Sequence, residues 1–229
     1  MKRSILFFVL FIFFLSSSAF ASTAGVYVGA KAGASFMDFS DGNWQSSQNG
    51  DQTAQYDRSG DDTVFVFGAA LGYEFDLPLR VELEYMYRTN FEHDKKPTTN
   101  GLFDSDTDLT THTLMANLFY DFRNSSPFTP FVMGGIGVAV HQTDNHVTSL
   151  TSYVDDYEGS DVTRTEFAWN VGTGMAYDLT DNLTLDMLAR YVDMGKAKWK
   201  NTNRTSNDKG SGSGNMSATE VLLGLRYKF

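Results

Sequence analysis

The segment that decides the fold is Ala218-Thr-Glu-Val-Leu-Leu-Gly-Leu-Arg-Tyr-Lys-Phe229, at the end of the sequence. Every second residue counted back from Phe229 is apolar or aromatic, namely Tyr227, Leu225, Leu223 and Val221. The residues between them carry the charges and a glycine. A two-residue period is typical of a β-strand with one apolar and one polar face. Because the apolar face is unbroken, it predicts a strand that lies against lipid.

The beginning of the sequence has the pattern of a secretory signal peptide. Lys2 and Arg3 form a positive start, Ile5–Leu15 is an unbroken apolar run, and Ala19-Phe20-Ala21 supplies small residues for cleavage after Ala21. The run is too short to span about 30 Å of hydrocarbon, which takes about 20 residues. The pattern therefore predicts export, with residues 1–21 removed.

Composition excludes several classes of protein. The chain has no cysteine, so disulfides and cysteine-based metal or redox sites are excluded. Its 28 acidic residues outnumber 18 basic ones, for a net charge of −10, which argues against a nucleic-acid partner. No pattern predicts a cofactor or a metal site. Residues 22–229 are predicted to form one β-barrel domain.

Alternation like that of the C-terminal segment recurs along the chain. It predicts an all-β fold, an eight-stranded antiparallel up-and-down transmembrane β-barrel. The predicted strands are residues 25–37, 64–75, 80–88, 111–122, 131–140, 166–178, 183–194 and 218–229.

Short and long connections alternate between these strands. The short ones span residues 76–79, 123–130 and 179–182, and the long ones span about 38–63, 89–110, 141–164 and 195–217. Outer-membrane barrels have short periplasmic turns and longer extracellular loops. A soluble β-sandwich is the alternative, but it would not need an apolar face on every strand. The spacing therefore predicts four long extracellular loops.

Three stretches carry a resemblance to a known family: Gly29–Gly33, Leu79–Tyr85 and Asn170–Asp178. The chain resembles eight-stranded outer-membrane barrels of the OmpA-like and opacity-protein-like surface-antigen group. The resemblance implies that Tyr227 and Phe229 form a C-terminal signal for the barrel-assembly machinery. OmpA itself carries a peptidoglycan-binding domain after its barrel. Since this sequence stops after the strand, no such tether is expected.

Alternation places charged residues of both signs in the predicted lumen. They are Lys31, Glu82, Glu84, Arg88, Asp186, Arg190, Glu220 and Arg226. An eight-stranded barrel leaves an interior that side chains fill, and an unpaired buried charge is costly. These residues are therefore predicted to form a structural charge network, in which Lys31 faces Glu220 across the first and last strands. A narrow, porin-like channel is the alternative.

The fourth loop is the exception among predominantly acidic loops. It holds a candidate ligand patch of Lys196, Lys198, Trp199, Lys200, Arg204 and Lys209. A cationic loop with an aromatic residue suits lipopolysaccharide phosphates, a sulfated glycan or a host protein. Alternatively, the patch pairs with the acidic loops beside it. Gly210–Gly214 within this loop is predicted to be flexible.

These features together predict a monomeric outer-membrane surface protein without enzymatic activity. It acts as a surface antigen or adhesin-like binder, or it has a role in envelope structure. The predicted partners are outer-membrane lipid and lipopolysaccharide, the barrel-assembly machinery, and a host or extracellular ligand at the loops. A lipid A-modifying enzyme is a remote alternative, because only His112 has outward parity near a rim and no serine lies clearly beside it.

Overall fold

The computed structural model describes residues 24–46, 52–55, 60–92, 103–149, 162–202 and 209–229. The predicted signal peptide lies outside these ranges, and so does Arg204 of the loop-four patch. No helix in this part of the chain is long and apolar enough to cross a membrane. The strands that these ranges contain are β1 (Gly25–Ser46), β2 (Gln52–Gln55), β3 (Gly60–Glu74), β4 (Leu79–Glu92), β5 (Phe103–Asp121), β6 (Phe128–Ser149), β7 (Val162–Asp178), β8 (Leu183–Thr202) and β9 (Lys209–Lys228).

Eight of these strands close into a barrel. Each is antiparallel to its neighbour in the order β1, β3, β4, β5, β6, β7, β8 and β9, and β1 also pairs with β9. The remaining strand, β2, is four residues long and pairs with the end of β1. The predicted eight-stranded antiparallel barrel is confirmed, and β2 is an addition to it.

The two faces of each barrel strand differ in burial, as β9 illustrates. Glu220 and Leu222 are buried in the lumen, whereas Val221, Leu223 and Leu225 expose 46–57% of their surface on the outside. A water-facing sheet would not expose so many large apolar side chains, but lipid accepts them. The outer face is therefore the lipid-facing surface.

Aromatic side chains form two belts on the outer face. Near the short turns, Tyr120 packs on Phe122 with ring centroids 5.0 Å apart. Toward the other end, Phe67 packs on Tyr87 at 5.2 Å and Trp169 on Tyr191 at 5.6 Å. Such belts mark the two membrane interfaces.

The strands extend further on the extracellular side than alternation predicts. The first ends at Ser46 rather than residue 37, and β8 ends at Thr202 rather than residue 194. The prediction that Gly210–Gly214 is a flexible segment is wrong, since these residues belong to β9 and pair with β8. On β1 and β8, register shifts explain why the predicted strands end too early. A bulge inserts one extra residue and so reverses the two-residue period beyond it.

Three such shifts lie on the extracellular side of the barrel. They fall between Ser40 and Asn43 on β1, between Arg88 and Phe91 on β4, and between Asp193 and Lys196 on β8. The third contains Gly195, whose φ of 73° lies in the left-handed region that glycine tolerates best. The Asp193 side chain accepts a hydrogen bond from the Gly195 amide at 2.9 Å.

Candidate functional site

A cluster of buried ion pairs occupies the middle of the lumen. Glu84 accepts hydrogen bonds from Lys31 at 2.6 Å and from Arg190 at 2.5 Å. Glu220 accepts from Arg190 and from Arg88, each at 2.8 Å. Both carboxylates are fully buried. Each carboxylate therefore bridges two cations, and Arg190 joins the two groups into one network.

A second ionic layer lies nearer the periplasmic turns. Arg80 donates to Asp121 at 2.9 Å, and its guanidinium lies 4.2 Å from the centroid of the Phe119 ring. Arg226 pairs with Asp186 at 3.1 Å. Charge-assisted bonds and cation–π contacts both strengthen where water is absent.

Glu82 links the central cluster to Tyr27. It pairs with Lys31, and it accepts a hydrogen bond from the Tyr27 hydroxyl at 3.1 Å. The Tyr27 ring fits because Gly72 lies beside it on β3; a Cβ at Gly72 would come within 2.2 Å of the ring. The glycine thus gives the tyrosine room to reach Glu82.

Two apolar clusters alternate with the ionic layers. The cluster between the two ionic layers contains Val66, Met86, Phe119, Phe131, Met133, Ala176, Leu188 and Leu222. The cluster on the extracellular side contains Met37, Val64, Met115, Ala139, Ala168, Val192, Met194, Met216 and Ala218. His141 lies at the same level, with ring nitrogens 3.1 Å from the Thr111 hydroxyl and from the Met194 carbonyl oxygen. Apolar side chains therefore cover the ion pairs on the extracellular side.

The structure brings all eight sequence-predicted lumenal residues into ion pairs, but one predicted pairing is wrong. Lys31 does not contact Glu220; it pairs with Glu82 and Glu84. The reason is the stagger of the closing strands. Gly224 lies opposite Lys31 on β9, and Ser35 lies opposite Glu220 and donates a hydrogen bond to it at 3.1 Å.

Sequence reasoning missed several residues of the network. Tyr27, Arg80, Asp121 and His141 are not among the residues predicted to join it. Arg80 is the first residue after a turn, so the alternation pattern did not assign its side chain to either face of the strand. The signal that was available is parity with Glu82 and Glu84 on the same strand, which places Arg80 in the lumen as well.

The charges in the lumen balance. Among the described residues, the buried cations are Lys31, Arg80, Arg88, Arg190 and Arg226, and the buried carboxylates are Glu82, Glu84, Asp121, Asp186 and Glu220. The cavity lined by Lys31, Arg80 and Asp186 has a volume of about 10 Å³, about enough for one water molecule. Neither the charge nor the space favours a path for ions.

We therefore expect the refolded barrel to show no steady openings in a planar lipid bilayer. Because the buried charges are paired, the lumen has no net charge that would attract an ion. The apolar cluster on the extracellular side, which contains four methionines, leaves no water-filled path. Single-channel recording at both polarities tests this. Steady openings in the wild type that change in Glu84→Ala or Arg190→Ala would instead establish the narrow channel.

The extracellular end of β8 carries most of the loop-four patch. Lys196 is exposed on the outer face and pairs with Asn215, and Lys198 and Lys200 follow it at two-residue steps on the same face of the strand. Trp199 pairs with Gly212, which belongs to the inner face of β9 together with the buried Gly214. Register thus divides the predicted patch between two faces of the β8–β9 hairpin.

His112 lies in the outer aromatic belt. Its Nδ1 is 2.7 Å from the Tyr85 hydroxyl, and its ring packs on Tyr87 at 5.1 Å. The residues directly paired with it on the neighbouring strands are Tyr87 and Val140. Neither supplies a nucleophilic hydroxyl with a carboxylate partner, so the arrangement suits an interfacial histidine.

Comparison with known proteins agrees with this architecture. The sequence profile of the family described as outer membrane protein beta-barrel domain matches residues 7–229. Outer membrane protein PagN of Salmonella typhimurium is 28% identical over 230 residues, which cover 93% of this chain and 93% of that protein.

Two solved structures show the same fold. Neisserial surface protein A (NspA) has a TM-score of 0.54 and 23% identity, with 91% of this chain and 100% of that chain covered. OprG from Pseudomonas aeruginosa has a TM-score of 0.57 and 21% identity, with 90% and 97% covered.

Proposed function

The chain belongs to the family of outer membrane protein β-barrel domains, and we propose that it is an adhesin-like recognition protein that binds polyanions at the extracellular end of the β8–β9 hairpin. It is an outer-membrane β-barrel surface protein. The observation that carries the proposal is the row of lysines on the outer face of β8, which begins at the exposed Lys196. The filled lumen supports a role in recognition rather than in transport.

The residues paired with the three lysines of β8 carry no charge. Lys196 lies opposite Asn215, Lys198 opposite Ser213 and Lys200 opposite Ser211. Successive lysines on one face of a strand are about 6.7 Å apart, at two residues per step. A linear array of positive charge with small neutral neighbours suits a ligand with repeated phosphate or sulfate groups.

Lys209 extends the same face. It pairs with Thr202 at the end of β8, and it shares the outward parity of Ser211 and Ser213 on β9. The row therefore continues from β8 onto β9. Phosphates of lipopolysaccharide and sulfates of a host glycan have the same recognition chemistry, so both belong to the proposed ligand class.

Replacing Lys196, Lys198 and Lys200 together with alanine is expected to weaken polyanion binding by about 100-fold, since each lysine near an anionic surface contributes about 1 kcal/mol. Binding is measured over a range of salt concentrations, separately for lipopolysaccharide vesicles and for dextran sulfate. The two ligands distinguish recognition of phosphate from recognition of sulfate. The matched control is the triple arginine variant, which keeps the charge. Equal binding by the alanine variant and the wild type would contradict the proposal.

Two further roles complete the proposal. Tyr227 and Phe229 serve as the signal for the barrel-assembly machinery; their rings pack 5.3 Å apart, and the Phe229 amide donates to the Val26 carbonyl at 3.1 Å. The protein acts as a monomer and without catalysis. Hydrolysis of lipid A by the purified barrel, lost in His112→Ala, would contradict the second point.

A further inference from the structure

Three rings form one row on the outer face of β3, β4 and β5, in the aromatic belt at the extracellular side. Phe67 of β3 lies opposite Tyr87 of β4, and Tyr87 lies opposite His112 of β5. The rings contact one another in that order, with centroids 5.2 Å and 5.1 Å apart. The last ring of the row is an imidazole, which can carry a charge. An ionisable side chain on a lipid-facing surface is costly unless it has a partner.

One ring nitrogen of His112 is occupied by a tyrosine from the next row toward the membrane centre. The Tyr85 hydroxyl lies 2.7 Å from Nδ1, and the two ring centroids are 5.9 Å apart. When this hydroxyl donates to Nδ1, the neutral imidazole carries its proton on Nε2. Tyr85 therefore fixes the orientation of the ring and makes Nε2 the nitrogen that donates to a ligand.

Two donors of this row have no partner in the part of the chain that the structure describes. Neither the Nε2 atom of His112 nor the hydroxyl of Tyr87 makes a hydrogen bond with a residue of these ranges. The residue opposite His112 on β6 is Val140, whose side chain cannot accept a hydrogen bond. Because the two rings are in contact, their donors belong to one patch. Its acceptor therefore comes from outside the protein.

An apolar surface continues from this patch toward the middle of the membrane. Tyr85 and Leu114 lie side by side in the next row, and Leu71 and Leu83 lie side by side in the row after it. Leu71 and Leu83 expose 49% and 52% of their surface. The face thus has hydrogen-bond donors at the interface and large apolar side chains below them. This arrangement fits an amphiphile with a polar head and acyl chains.

The geometry points to a lipid A site on the outer face of β3, β4 and β5, in which His112 and Tyr87 donate to a phosphate and the leucines below contact the acyl chains. Phosphate suits the patch because bonds to an ionised acceptor are about twice as strong as neutral ones. The extracellular end of the barrel faces the outer leaflet, where lipid A anchors lipopolysaccharide.

The site is separate from the lysine row, since Lys196 lies on β8, three strands away from β5 in the barrel. It also goes beyond the polyanion role proposed above. The lysine row recognises repeated anionic groups outside the membrane, whereas this site holds one lipid by its phosphate and its acyl chains together.

Native mass spectrometry of the refolded barrel tests the site, with lipid A and phosphatidylglycerol added separately to the detergent micelles. His112→Phe keeps a ring in the row but removes the N–H donor, and it is expected to weaken lipid A binding about tenfold. His112→Gln restores a side-chain N–H donor and is expected to bind within about threefold of the wild type. The wild type is expected to bind lipid A more tightly than phosphatidylglycerol.

Tyr120→Phe is the matched control, because it changes a ring of the aromatic belt at the periplasmic end and is expected to leave lipid A binding unchanged. Dextran sulfate has no acyl chains, so it reports on the lysine row alone, and its binding is expected to be the same in His112→Phe and the wild type. The two proposals therefore fail independently.

Mobility of unboiled samples on gels and the β-sheet circular dichroism signal establish that each variant folds. Three results would overturn the inference: wild-type affinity for lipid A in His112→Phe, a loss of the same size in Tyr120→Phe, or equal affinity of the wild type for the two lipids.

Discussion

Replacing Glu220 with alanine is expected to lower the free energy of unfolding by about 3–5 kcal/mol, the usual cost of removing one partner from a buried ion pair. Glu220 is fully buried and lies between Arg88 and Arg190, each 2.8 Å away. Its loss leaves two guanidinium groups without this shared carboxylate in a lumen that has little room for water. Arg190 keeps its bond to Glu84, whereas Arg88 keeps only a hydrogen bond to an uncharged group, the Thr113 hydroxyl at 3.2 Å, among the described contacts.

Urea unfolding of the barrel in lipid vesicles measures this loss. The control is Glu74→Ala, which removes a partly exposed carboxylate at the periplasmic end, 3.5–3.8 Å from three cations. Solvent-accessible pairs contribute little, so the control is expected to cost under about 1 kcal/mol. If Glu220→Ala cost no more than the control, water would have to solvate the lumen, and the filled interior would be the wrong description.

Alternation predicted the membrane part of the fold because lipid imposes a strict rule there. Most outward residues there are apolar or aromatic, as Leu223 and Leu225 are, so the two-residue period of a strand is visible in the sequence. Above the aromatic belt this constraint ends. At Gly195 a single extra residue reverses the period, and β8 therefore seemed to end at residue 194 although it continues to Thr202.

The membership of the lumenal network followed from parity, but its pairings did not. Parity places Lys31 and Glu220 inside the barrel, yet which residues meet depends on the stagger between strands. Lys31 lies opposite Gly224, four residues along β9 from Glu220, and its side chain reaches over β3 to Glu84 on β4 instead. The shear of a closed barrel is a property of all eight strands together, and no single segment encodes it.

The division of the loop-four patch has the same origin. Lys198 and Trp199 are adjacent in sequence, so they looked like parts of one surface. Once β8 continues as a strand, adjacent residues fall on opposite faces. The sequence therefore predicted which residues gather at this end of the barrel, and only the register showed that they form two surfaces.

The orientation of the lysine row is expected to depend on the Gly195 bulge, so Gly195→Ile should weaken polyanion binding by about 100-fold, as much as removing three lysines. Gly195 has a φ of 73°, which a β-branched residue adopts only with severe strain, and a Cβ there would come within 3.0 Å of Glu166. Isoleucine therefore favours a regular strand at this position. With the chain length unchanged, the end of β8 then slips by one residue and Lys196 turns to the inner face.

Deletion of Gly195 is the matched control and is expected to have the opposite outcome. Removing the extra residue lets Met194 pair with Met216 and leaves Lys196 opposite Asn215, as in the wild type. The row then stays on the outer face, and binding to lipopolysaccharide vesicles and dextran sulfate is retained. A deletion that is tolerated where a substitution is not would show that the register, rather than the glycine itself, sets the face that carries the charge. Wild-type binding by Gly195→Ile would contradict this account.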